Sequence, residues 1–138
     1  MDDLVAFLRA RLDEEKAGAK AATDGPWAAW DGPALHGLGD LIHPVLTPGQ
    51  KPGSRASIVT ASWLDAEHIA SHDPARVLAE VEAKRQLVEA YAEVAANDVD
   101  EPYEYAYGWA NGLGLAVRCL ASSYASHPDY RAEWAPAA

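Results

Sequence analysis

The chain holds one cysteine, Cys119, among 138 residues. One thiol excludes an internal disulfide framework and any zinc site built from several thiolates. A reducing, cytoplasmic location is therefore expected. Basic residues are also few: 11 Lys and Arg stand against 21 Asp and Glu, for a net charge of −10. Such a surface repels phosphate backbones unless a basic patch interrupts it. The nearest candidate is Lys84–Arg85, and Glu80, Glu82 and Glu89 flank it, so no nucleic-acid partner is expected. Long apolar runs are missing too. The most apolar stretch, "GLGLAVRCLASSYA" at 112–125, is too short for a bilayer and contains Arg118. The opening "MDDLVAFLRARLDEEK" presents acids at once and has no apolar core of a leader, so neither a targeting segment nor a membrane partner is expected. No phosphate loop, dinucleotide fingerprint or GxSxG elbow occurs.

What is present suffices for a folded domain. Apolar residues make up 49% and charged residues 23%, so a single domain over 1–138 is the expectation. Leu4, Val5, Leu8 and Leu12, with Phe7 beside them, recur at helical spacing and predict a helix over 3–21. "TDGPW" ends it, because Gly25 and Pro26 break the helical backbone. Residues 28–62 then read as a β and loop region. Turn signals separate "WAAW", "DLIHPVL" and "ASIVTAS", and the last is the best strand because Ile58, Val59 and Thr60 are β-branched. A short helix is expected over 63–72. A longer one starts at Pro74 with Asp73 as its N-cap, since proline suits the first helical position. Its stripe is Val77, Leu78, Val81, Leu87, Val88, Tyr91 and Val94. A last helix is expected over 103–125, with a possible break at Gly112–Gly114, and 127–138 reads as an extended tail anchored by Tyr130 and Trp134. The expected fold is α+β: three main helices packed with a small antiparallel sheet inserted after the first.

Three blocks, "MDDLVAFLRARLDEE", "HIASHDPARVLAEVEAKRQL" and "YASHPDYRAEW", resemble a domain-of-unknown-function family of actinobacterial genomes and the phages that infect them. "TDGPW" is similar to the "TPGPW" turn of small phage-encoded proteins, with Asp24 in place of the proline. The resemblance implies a phage or mobile-element setting and no reaction.

Two constellations invite a functional reading. His68 and His72 are four apart, which puts both imidazoles on one helical face. Such a pair can share a zinc ion, with His127, Asp129, Glu67 or Asp73 as a further ligand. No acid follows His68 as in HExxH, so no general base stands beside it. The competing reading is structural: His72 closes a helix where the dipole favours an imidazolium. The second constellation is aromatic. Trp27, Trp30 and Trp63 flank the glycine- and proline-rich region, and Arg55 and Arg76 are nearby cations. Aromatics usually build cores, yet a groove lined by these rings could stack a base or hold a partner's side chain. Cys119 is expected to be buried packing.

The functional expectation is a non-enzymatic phage or mobile-element accessory protein without a cofactor. It would bind a host protein or a small signalling molecule through Trp27, Trp30, Trp63, Arg55 and Arg76, blunt a host defence, and form a homo-oligomer. The alternative is a small metal-dependent hydrolase using His68, His72 and His127 or Asp129.

Overall fold

A computed structural model describes residues 2–32, 35–37, 40–52, 58–60, 62–97 and 104–137, with side chains from 3–32, 42–52, 58–60, 62–97 and 108–137. The described elements run α1 (Asp2–Ala21), β1 (Ala28–Ala29), β2 (Leu35–Gly37), β3 (Asp40–Leu46), β4 (Ile58–Thr60), α2 (Trp63–Ser71), α3 (Pro74–Ala96) and α4 (Glu104–Ser122). A 3-10 turn over Ala132–Trp134 follows. Among the described residues the fold is mixed α+β, with four helices, the short α2 included, and every described strand between α1 and α2. Two compact units divide the chain: Glu15–Glu80, and Met1–Glu14 together with Val81–Ala138.

In the Glu15–Glu80 unit, β3 is the common strand. It pairs antiparallel with β1, β2 and β4. Val45 faces both Ala29 and Ile58, so β1 and β4 flank it on opposite sides. The expected best strand, around Ile58–Thr60, is described over only three residues, and Ile58 and Val59 are exposed. Among the described residues the longest strand is instead the one that contains Pro44. Proline is tolerated there for a visible reason. The Trp30 N–H donates to the Pro44 carbonyl at 2.9 Å. In a strand a residue's N–H and C=O point to the same side, so the missing donor of Pro44 also faces Trp30, one step beyond the end of β1. The ladder with β1 stops where proline cannot answer. Helix α2 lies against β1, β3 and β4. Ala66 from the helix and Pro44 and Val45 from the strand form the buried seam.

Asp73 and Pro74 join α2 to α3 as the sequence predicts. The Asp73 carboxylate accepts the Arg76 N–H at 2.9 Å, and its carbonyl accepts the Val77 N–H at 3.1 Å, which is N-cap geometry. The other carboxylate oxygen accepts the Trp27 N–H at 3.2 Å. That bond requires close approach of the "TDGPW" turn. A Cβ on Gly25 would fall 2.7 Å from Asp73 Oδ2, so glycine there is a spatial requirement.

The other unit is helical. Leu4, Val5, Phe7, Leu8 and Leu12 of α1 are buried, as are Val81, Val88 and Tyr91 of α3 and Val117 and Ala121 of α4. These are largely the positions that periodicity selects. Helix α4 passes through Gly112 and Gly114 unbroken, and Cys119 is exposed rather than buried. The helical phase of α4 turns Val117 and Ala121 inward and places Cys119 outside. The tail is not extended. Successive backbone turns close between His127 and Tyr124, Tyr130 and His127, and Trp134 and Arg131. They fold it back so that Trp134 is buried with its ring centroid 4.9 Å from that of Phe7.

Candidate functional site

Trp27, Trp30 and Trp63 are all half-buried, and they line two adjoining hollows in the Glu15–Glu80 unit. One, of about 250 Å³, lies among Trp30, Asp31, Gly32, His43 and Trp63. The other, of about 370 Å³, is bounded by Trp27, Asp31, Trp63, Glu67 and small residues of β1 and α2. Trp63 and Asp31 belong to both. Each ring has a local reason for its position. The Trp27 indole N–H donates to the Thr23 carbonyl at 2.9 Å, while its backbone N–H is held by Asp73. Trp30 is set by its bond to Pro44, and its ring lies against Gly32 so closely that a methyl at residue 32 would overlap it. Trp63 opens α2. The carbonyl of the preceding Ser62 accepts the Thr60 hydroxyl at 2.6 Å and the Ala66 N–H at 3.1 Å.

Among the described residues the Asp, Glu, Lys and Arg side chains at the hollows are of one sign, acidic. Asp31 and Glu67 are exposed, and neither is engaged in a hydrogen bond or ion pair among the described residues. No lysine or arginine lines either hollow among the described residues. The nearby Asp73 carboxyl is held below the usual carboxylate range, first by the Arg76 N–H and then by the Trp27 N–H. It therefore anchors the Trp27 turn as an anion.

The model of the Family of unknown function (DUF6221) matches residues 1–136. The chain belongs to this family. No curated protein and no solved structure matches the chain. Membership in DUF6221 carries no reaction with it, so the chemistry has to be read from side chains.

The two histidine pairs of this DUF6221 chain fall in different units. The His68 and His72 rings meet at the end of α2 with centroids 4.4 Å apart and their planes tilted by 44°. His72 Nδ1 donates to the His68 carbonyl at 2.8 Å, which satisfies a carbonyl at the end of α2. His127 and Asp129 lie in the tail, where His127 Nδ1 accepts from Arg11 Nη1 at 3.0 Å and from the Asp129 N–H at 3.1 Å. A guanidinium can only donate, so this nitrogen carries the lone pair and the proton sits on Nε2. Arg11 is buried and also forks onto Glu14, with Nε at 3.0 Å. That contact holds the Glu14 carboxyl below its usual range. Among the described residues no three His, Cys, Asp or Glu side chains converge where they could hold a metal ion.

Arg76 does not line either hollow. Its guanidinium binds Glu80 at 2.8 Å and the Ser71 carbonyl at 3.0 Å, bracing the α2–α3 junction. Arg55 lies outside the described residues. Sequence reasoning passed over Asp31, His43 and Gly32, and weighed Glu67 only as a further metal ligand beside His68 and His72. Two of these carried a signal: Asp31 directly follows Trp30, and Glu67 stands four residues after Trp63 on one face of α2.

Proposed function

We propose that this protein is a non-catalytic binding module whose site is the tryptophan-lined pair of hollows. The observation that carries this reading is the convergence of three indoles, two from the 27–30 stretch and one from the start of α2, around two carboxylates with no partner among the described residues. Half-exposed indoles held rigid are good binding surfaces, because they supply large contact area with little conformational entropy to lose. In the phage or mobile-element setting implied by the sequence resemblance, the occupant is a host protein or a small signalling molecule whose capture blunts a host defence. A thermal-shift screen of metabolites, nucleotides and short peptides tests this. Hits should lose their effect in Trp63→Ala. Hits that persist unchanged in that variant would contradict the site. The metal-hydrolase alternative predicts stoichiometric zinc in the purified protein and its loss when His68 and His72 become glutamine; the binding-module reading predicts no such metal.

A homo-oligomer is part of the same proposal. Helix α4 exposes Trp109 and Leu115, at 54% and 52% of their full area, and exposed apolar residues of that size favour a partner. Sedimentation of the wild type against Leu115→Glu tests it; a monomer in both would sink it.

A further inference from the structure

We infer that the occupant of the tryptophan hollows is an arginine side chain presented by a partner protein. The inference rests on those hollows being a binding site and adds the chemistry of what enters.

Three observations converge. First, Trp27, Trp30 and Trp63 are among the lining residues, and the faces of aromatic rings carry negative potential that attracts cations, guanidinium most often. Second, the carboxylates at the hollows, Asp31 and Glu67, are both without a hydrogen bond or ion pair among the described residues. Some other exposed carboxylates are engaged, Asp3 with Arg131 and Asp13 with Arg85, while Asp24, Asp65 and Glu93 are not among the described residues. What sets Asp31 and Glu67 apart is that they stand beside tryptophans with no lysine or arginine lining the hollows among the described residues. Third, both hollows are shallow and open to solvent. A small-molecule site normally encloses most of its ligand. An open site suits a side chain whose backbone stays outside.

The guanidinium fits this set better than an ammonium. It is planar, so it can lie along an indole while its edge donates to a carboxylate in a two-pronged contact. Asp31 borders both hollows, so an arginine lying against Trp63 could reach it from either one. Charge complementarity also operates at long range. A chain with net charge −10 attracts basic partners, and association should weaken as salt is raised.

The test uses the full chain and a fluorescent glycine peptide with a single central arginine. Parallel peptides carry citrulline, the neutral isostere, or lysine at that position, and adenosine serves as a neutral planar ligand. Binding is read by fluorescence anisotropy for the peptides and by tryptophan quenching for adenosine. The arginine peptide should bind about tenfold more tightly than the citrulline peptide, one charge-assisted contact's worth. The double variant Asp31→Asn, Glu67→Gln should lose about that factor while its circular dichroism and melting temperature stay unchanged. If arginine and citrulline bind alike, or the double variant binds as the wild type does, the cation assignment is wrong. Equal binding of lysine and arginine overturns the guanidinium. Adenosine binding that survives in the double variant and is lost in Trp63→Ala would overturn the arginine while leaving the site itself standing. If no probe responds to Trp63→Ala, both the inference and the site fail together.

Discussion

Trp134 is the residue on which the folded tail depends, and its removal has a calculable cost. The side chain is 7% exposed, and its ring centroid lies 4.9 Å from Phe7 and 5.9 Å from Tyr130. Burying a tryptophan removes roughly 150–250 Å² from water. At about 25 cal/mol per Å² that is worth roughly 4–6 kcal/mol, an upper figure because unfolded chains already hide some of this area. Large-to-small aromatic truncations in cores cost about 3–5 kcal/mol. The remaining anchors of the tail are weaker. They are the Arg131–Asp3 pair at 2.8 Å, both members largely exposed, the Arg118 bond to the Glu133 carbonyl at 2.9 Å, and the Arg11 bond to His127 at 3.0 Å. Exposed pairs contribute about 0–1 kcal/mol, and a single hydrogen bond about 1 kcal/mol. Trp134→Ala should therefore release residues 128–137 and uncover the side of Phe7 on which Trp134 lies. Urea unfolding should show a loss of about 3 kcal/mol or more. Native-state hydrogen exchange should show the Tyr130 and Ala135 amides unprotected. Trp134→Phe should restore most of both. A loss below about 1 kcal/mol with those amides still protected would refute the reasoning.

The Asp73 cap gives a second test. Asp73→Ala should lower the melting temperature and release the Trp27 turn, whereas Asp73→Asn, which keeps the capping oxygen, should be milder; equal effects would show that the charge alone matters. Acid stability gives a third. Asp73, Glu14 and Glu89 all have folded pKa values below their ordinary ones, Glu89 because Arg9 donates to it. Their stabilisation is thus fully present above the ordinary carboxylate range and is lost as pH falls through the folded values, so melting temperature should drop below about pH 4. A melting temperature flat through that range would contradict it. Finally, Gly32→Ala should displace the Trp30 ring, seen as a shifted tryptophan emission with the global melting temperature little changed.

Periodicity carried the helical part of the account. Leu4, Leu8 and Leu12, and Val81 and Val88, are core residues whose spacing declares a helix whatever it packs against. The cap at Asp73–Pro74 was equally legible, because both residues act within one turn of their own position. The sheet was less so. β-branching pointed to Ile58–Thr60, whereas β3 is organised by what its neighbours leave unpaired, and a proline inside it argues against a strand until the position of Trp30 is known. The tail misled for the same reason: "SHPDYRAEW" lacks apolar periodicity, and its turns are held by Phe7, more than a hundred residues away in sequence. At the candidate site the tryptophans stood out as rare, bulky residues beside turn signals. The carboxylates did not, since an acid in a chain of this charge is unremarked until it is found without a partner at a hollow.

The central claim is that the three indoles form one site, and the tryptophan side-chain N–H signals of the intact protein test it most directly. Five tryptophans give five separate reporters. On titration with the single-arginine peptide, the signals of Trp27, Trp30 and Trp63 should move together along one saturating curve, while those of Trp109 and Trp134 stay in place. Movement confined to Trp109 or Trp134, or no movement at Trp63, would contradict the account.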